Sequence, residues 1–448
     1  MIHRPRLAFL FCLLAGALLC GSCRSVWPFK RKKMLPNPGG KTETTESKLA
    51  KPRPEKEKPT ITIEKLEKVA KAGNPNAQLA LGKIYFEGRA NVKQDYVEAV
   101  RWFTMAAEAG NGAAMFNLGI CYGNGLGVAQ NSRQAYDWYK KAADSGIAEA
   151  QGKVAAISEM LGDYQTAAKY LRLRADAGDT ICQRKLAVYI LNGIGTDAPA
   201  SEAVAYLLRA ARKGDIRAQV NLADCYQRGN GVERNYNEMF NWLTLAAQEG
   251  DPEAQTKLGY CYQQGMGIAR NTDQAASCYQ SAANADYAPG IVALASCYLE
   301  GSGVPYDLKK AVELLKKAAE LGDDIGEYQY GMALLSGTGV EANPAEAFTW
   351  IERSAQQNFT IAMLQIATLY EQGIGTDKND GTALYWLNKA ADLRNPEAMY
   401  RVAMFLLEGR ATPKNPSRAK ELLAMAAKHE YKEADEALKT FFPDSATP

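Results

Sequence analysis

One spacing governs this chain. From Gly110 a small or turn-forming residue returns at Gly146, Gly178, Gly214, Gly250, Asp286, Gly322, Asn358 and Arg394, and every interval after Gly178 is 36 residues. The step from Gly73 to Gly110 is 37 and that from Gly146 to Gly178 is 32, so ten units run from Gly73 to about Glu430. A period of this length marks supersecondary units that bury their apolar faces only against their neighbours. The 448 residues would otherwise divide into about three globular domains. The repeat replaces them with one array.

The unit from Gly214 to Glu249 shows the pattern. Counting Gly214 as zero, Ala218, Leu222, Cys225 and Tyr226 stand at offsets 4, 8, 11 and 12, one face of a 3.6-residue helix. Offset 9 is Gly or Ala in nearly every unit (Gly82, Gly119, Gly259, Ala367), which lets a second helix approach closely. A Gly-x-Gly then ends helix A, its first Gly suited to a left-handed cap and its second to a tight loop. Helix B carries an aromatic (Trp102, Trp138, Trp242, Trp350, Trp386) and closes with Ala-Ala and a capping Gly. Ile61 to Ala72 and Tyr431 to Phe442 read as capping helices, the latter stopped by Pro443, with a tail over 443–448.

The motif resembles the Sel-one-like repeat family, a relative of the tetratricopeptide repeats. It is carried by Leu118-Gly119-Ile120-Cys121-Tyr122, Gly125-Leu126-Gly127-Val128, Trp138 and Ala142-Ala143 with Gly146. The resemblance covers roughly residues 61–442 and implies an all-α fold, a right-handed superhelical α-solenoid of about ten helix-turn-helix repeats of 36 residues over 73–430. Unit 3 departs from it: Met160-Leu161-Gly162-Asp163-Tyr164 is a shorter turn without Gly-x-Gly, and a local change of twist is expected there. Units 1 and 10 also lack the second Gly, as capping repeats do.

The ends differ from the array. Residues 1–60 carry 13 basic and 4 acidic residues, a net +9, whereas the remainder is −6, so the overall +3 describes neither. Arg4 and Arg6 precede an unbroken apolar run from Leu7 to Leu19, too short to span a bilayer. Leu19-Cys20-Gly21-Ser22-Cys23 resembles a bacterial lipobox, which makes 1–22 a signal peptide and Cys23 the lipidated residue. Cleavage after Ala15-Gly16-Ala17 and an uncleaved anchor are the alternatives. Residues 23–60, with Lys30-Arg31-Lys32-Lys33 and a Pro-rich stretch from Pro36 to Pro59, read as a disordered tether whose cations suit anionic headgroups.

Chemistry-bearing residues are sparse. The two histidines are His3 and His429, which argues against a His-rich metal site or a His-dependent triad. Cys121, Cys225, Cys261 and Cys297 share offset 11, and Cys182 holds offset 4, all core slots, so buried free thiols are expected. Cys278 takes the aromatic slot, and Cys261 with Cys278 is the one intra-unit pair worth testing as a disulfide. No CxxC occurs. The Gly-x-Gly loops follow helices, not strands, and no Gly-Lys-Ser/Thr occurs, so they are not phosphate loops. Asp323-Asp324 sits at a helix start, where it caps.

These features leave the surface. Offsets 3, 7, 10 and 14 of helix A lie opposite the buried stripe, and offsets 7 and 14 form a ladder of amides and mixed charge: Asn117, Asn124, Asn221, Arg228, Lys257, Gln264, Gln329, Gln365 and Gln372. Such a ladder on a concave face hydrogen-bonds an extended peptide backbone. The expected function is a non-enzymatic scaffold or adaptor for a protein or peptide partner, the role the resemblance also implies. It would be exported and lipid-anchored in a bacterial envelope, facing periplasm or cell surface, without cofactor, metal, nucleic acid or small-molecule substrate. The alternatives are a cell-wall or glycan binder, and a hydrolase of β-lactam or cell-wall substrates, for which no Ser-x-x-Lys is present.

Overall fold

The structure, a computed structural model, describes residues 62–443. The expected signal peptide, lipidation at Cys23 and tether lie outside the described residues. Among the described residues there are twenty-two helices and no strand. They begin with a cap at Ile63–Lys71, continue as ten helix pairs, and end with Lys432–Phe441. The pairs belong to two compact units, one of residues 62–218 with 230–232 and one of 219–229 with 233–443. In each unit consecutive helices pack against one another as an α-solenoid.

Each unit is punctuated by its own caps. Asn or Asp side chains accept backbone N–H bonds at most helix starts, as Asp251 does from Ala254 at 2.8 Å and Asp323 does from Gly326 at 2.9 Å. Most A helices end on a left-handed glycine such as Gly125, Gly265 or Gly301. Offset zero is left-handed throughout, even where glycine is absent: Asp286, Asn358 and Arg394 have φ of 53°, 68° and 62°. The backbone demand therefore outlives the residue best suited to it.

The core follows the expected stripe, with two refinements. In repeat 6, Ala254, Leu258 and Cys261 are buried. Most offset-12 tyrosines instead lie half-exposed across repeat junctions, where Tyr262 and Tyr370 meet Phe240 and Phe348 of the preceding B helices edge-on at 5.4 and 5.1 Å. The notch at offset 9 is filled by the residue after the tryptophan position: a Cβ on Gly119 would lie 2.5 Å from the Tyr139 ring, and one on Gly259 would lie 2.6 Å from Tyr279. Trp138, Trp242 and Trp350 are only half-buried beside it.

The second glycine of each loop does more than turn the chain. A Cβ on Gly267, Gly303 or Gly375 would overlap the first carbonyl of the preceding B helix, at Tyr236, Thr272 and Pro344. Gly127, Gly195 and Gly231 meet Tyr96, Tyr164 and Ala200 in the same way. Each of these six loops thus clasps the repeat before it, backbone to backbone. Repeat 3 lacks this clasp, and polar bonds stand there instead. Tyr136 Oη lies 3.0 Å from Ser158 Oγ, and Tyr170 Oη donates to Asp144 at 2.7 Å. Met160 and Leu161 at the shortened turn are 87% and 70% exposed.

Candidate partner-binding face

Offsets 7 and 14 of helix A prove physically different. The offset-14 members Asn124, Arg228, Gln264 and Gln372 are exposed at the helix end. Of these, Asn124 turns its amide back to donate to Ile120 O at 3.0 Å, which leaves its side-chain carbonyl for other donors. The offset-7 members Asn117, Asn221, Lys257 and Gln365 are half-buried in the floor between neighbouring A helices. Gln329 departs from the expectation of an accessible rung: it is 2% exposed, and its Oε1 is buried without a hydrogen-bond partner. It belongs to the core of repeat 8 and cannot meet a partner.

The cations of offset 7 are already engaged. Lys257 Nζ lies 2.8 Å from Asp224 of the preceding A helix and 3.0 Å from Glu253. Burial works against its charge, but those two carboxylates outweigh it and hold the ammonium above its ordinary pKa. Lys185 pairs with Glu159 at 3.2 Å, and Arg401 pairs with Glu371. These ion pairs brace one helix A against the next, so these floor cations are not free for a partner. A carboxylate at offset 10 or 13 of the preceding repeat was the signal for this pairing.

A second ladder escaped the sequence reading. At offset 5, Gln78 and Gln183 are buried and donate Nε2 to the carbonyls of Ala70 and Ala175 on the preceding helix, at 3.1 and 3.0 Å. Repeat 8 places Glu327 there, 1% exposed. Its carboxylate receives Arg353 Nη2 at 3.0 Å and Gln357 Nε2 at 2.8 Å. Burial raises its pKa despite both partners.

The six described cysteines are free thiols, Cys261 and Cys278 included. Burial pushes Cys121, Cys182 and Cys225 up to about 11 and Cys261 and Cys297 up to about 12. Little thiolate forms at neutral pH, so these sulfurs are packing groups and poor nucleophiles. Among the described residues no group of three or more His, Cys, Asp or Glu is placed to hold a metal. None of their helices is long and apolar enough to cross a membrane.

The Sel1 repeat model matches residues 75–111, 112–147, 180–215, 216–251, 252–287, 288–323, 325–359, 360–395 and 396–431. Residues 148–179, the shortened repeat 3, fall between matches. Among solved structures, the chain is similar to the protective antigen c5321 of uropathogenic Escherichia coli strains, which displays an SLR fold. That likeness has 25% identity and a TM-score of 0.50, covering 87% of this chain and 91% of the other. Among curated proteins it is 35% identical over 92 residues to DAP3-binding cell death enhancer 1 of Rattus norvegicus, covering 20% of this chain and 18% of that protein. It is 33% identical over 86 residues to the ERAD-associated E3 ubiquitin-protein ligase component HRD3A of Arabidopsis thaliana, covering 19% and 12%. The chain thus spans less than a fifth of the length of either relative.

Proposed function

The chain belongs to the Sel1 repeat family, with nine repeats matched between residues 75 and 431, and from that premise we propose that it is a non-enzymatic scaffold that binds a protein or peptide along its A-helix face. The observation that carries this reading is the row of exposed offset-14 side chains above a floor already neutralised by ion pairs. Exposed amides above a floor whose cations are paired suit the alternating N–H and C=O groups of an extended backbone. The family supports it, since Sel1 repeat proteins are generally protein-interaction scaffolds, and the names of the two curated relatives speak of binding another protein and of membership in a ligase assembly. The same proposal places the array outside the cytoplasm of a bacterium, held to a membrane by a lipid on Cys23 and spaced from it by residues 24–60. The apolar run from Leu7 to Leu19 and the basic stretch behind it support that placement.

The test uses the full-length chain with Asn124→Ala, Gln264→Ala and Gln372→Ala combined. Exposed positions of this kind change stability by no more than about 0.5 kcal/mol each, so the variant should melt close to the parent. Its affinity for the partner captured by the parent should fall about tenfold or more, the loss of two or three hydrogen bonds. Undiminished binding by the triple variant would place the interface elsewhere.

A further inference from the structure

The last repeat junction contains a cavity of about 450 Å³ between the B helix of repeat 9 and both helices of repeat 10, the size range of small-molecule sites. Its origin can be read from the repeat register. Three positions fill the space between successive repeats: offset 26 of one B helix, and offsets 12 and 28 of the next repeat. Between repeats 8 and 9 these are Phe348, Tyr370 and Trp386, with Phe348 and Tyr370 packed edge-on at 5.1 Å. Between repeats 9 and 10 they are Leu384, Leu406 and Leu422, all three lining the cavity. At every other junction at least one of the three offsets holds a Phe, Tyr or Trp. The last junction alone is aliphatic at all three, and ring-sized space is left open.

We propose that this cavity is a binding site for a free aromatic amino acid. The ring would occupy the space that Tyr370 and Trp386 fill one repeat earlier, against a floor of Met399 and Val402, which are 1% and 4% exposed. The rim supplies one charge of each sign, the Asp392 carboxylate and the Arg394 guanidinium, and they complement the ammonium and carboxylate of a zwitterion. The Arg394 guanidinium forms no hydrogen bond or ion pair among the described residues, whereas that of Arg418, also on the rim, is held by Glu421 at 2.7 Å. Arg394 also occupies left-handed backbone at φ 62°, where glycine would be at ease.

The experiment is ligand-observed 19F NMR on the full chain with 5-fluorotryptophan, and competition by tryptophan, indole and indole-3-acetate. Tryptophan should displace the probe at one site, and indole, which lacks both charges, should bind about tenfold more weakly. Leu406→Tyr with Leu422→Trp copies repeat 9 into repeat 10 and should abolish binding with an unchanged or higher Tm. Leu384→Phe, copying Phe348, is the second filling variant should the first prove overpacked. Arg394→Gly should bring the tryptophan affinity part of the way down to that of indole without lowering Tm, because it relieves a left-handed arginine and leaves only the Asp392 contact. No displacement by tryptophan, or equal binding to a folded filled variant, would overturn the site. Equal affinity for indole and tryptophan would overturn the zwitterion assignment.

Discussion

Gly303→Ala should lower the unfolding free energy by about 3 kcal/mol or more, whereas Gly322→Ala should cost only about 1 kcal/mol. Both glycines are left-handed, at φ +72° and +81°. They differ in what a methyl would meet: at Gly322 there is nothing within 4 Å, whereas at Gly303 it would overlap the carbonyl of Thr272 in the preceding repeat. Gly322→Ala therefore adds only backbone strain, and Gly303→Ala also forces two repeats apart. Denaturant unfolding of the two variants beside the parent measures the difference. Because neighbouring repeats are coupled mainly through such interfaces, Gly303→Ala should also broaden the transition or split it in two. Equal losses for the two variants would show that the loop only turns the chain and does not clasp.

The second large effect concerns Glu327. Its carboxylate is buried with a half-exposed guanidinium as its charged partner. Arg353→Met removes the guanidinium and should cost about 2 kcal/mol, somewhat less than for a fully buried pair because Arg353 is solvated. Glu327→Gln should instead stabilise the fold by about 1 kcal/mol. It restores the amide that offset 5 carries in Gln78 and Gln183, and the register puts the Ala319 carbonyl in reach. In the Glu327→Gln background Arg353→Met should be nearly silent, and the double-mutant cycle isolates the pair. The pH dependence has a definite sign. A carboxyl whose folded pKa is raised makes the folded state bind more protons than the unfolded one. Stability then falls as pH rises from the ordinary glutamate value to the raised one, and stays reduced above it. Glu327→Gln should flatten that part of the stability profile. A profile unchanged by the substitution would contradict the raised pKa.

The helices and their caps were legible because the chain writes the same local rules ten times. Offset 4 or 8 is apolar for a reason contained in its own helix, and Gly125 caps for a reason contained in its own turn. The contacts that were not legible join different repeats. The nest of Gly303 on Thr272 and the reach of Gln183 to Ala175 both depend on how helices of neighbouring repeats lie against each other. Periodicity announces that those positions matter but does not say what they touch. The candidate face divided the same way. Offset 14 is exposed because a helix end projects there whatever its neighbours are, so Gln264 and Gln372 stood where the spacing put them. Offset 7 faces the preceding helix A, so Lys257 found Asp224, Lys185 found Glu159, and Gln329 went into the core. The last junction shows the converse. Leu384, Leu406 and Leu422 look unremarkable one at a time, and only the three-way register shows that no ring is present.

Site-specific photo-cross-linking reads the central claim most directly. A benzophenone amino acid placed at Gln264 or Gln372 of the full-length chain, in its own cells, reports what touches the A-helix face. The same group at Ser277 or Lys316 reports the exposed side of the B helices. The account predicts a discrete protein adduct from both A-helix positions and none from the B-helix positions. Adducts confined to Ser277 and Lys316, or no protein adduct at any of the four, would contradict it.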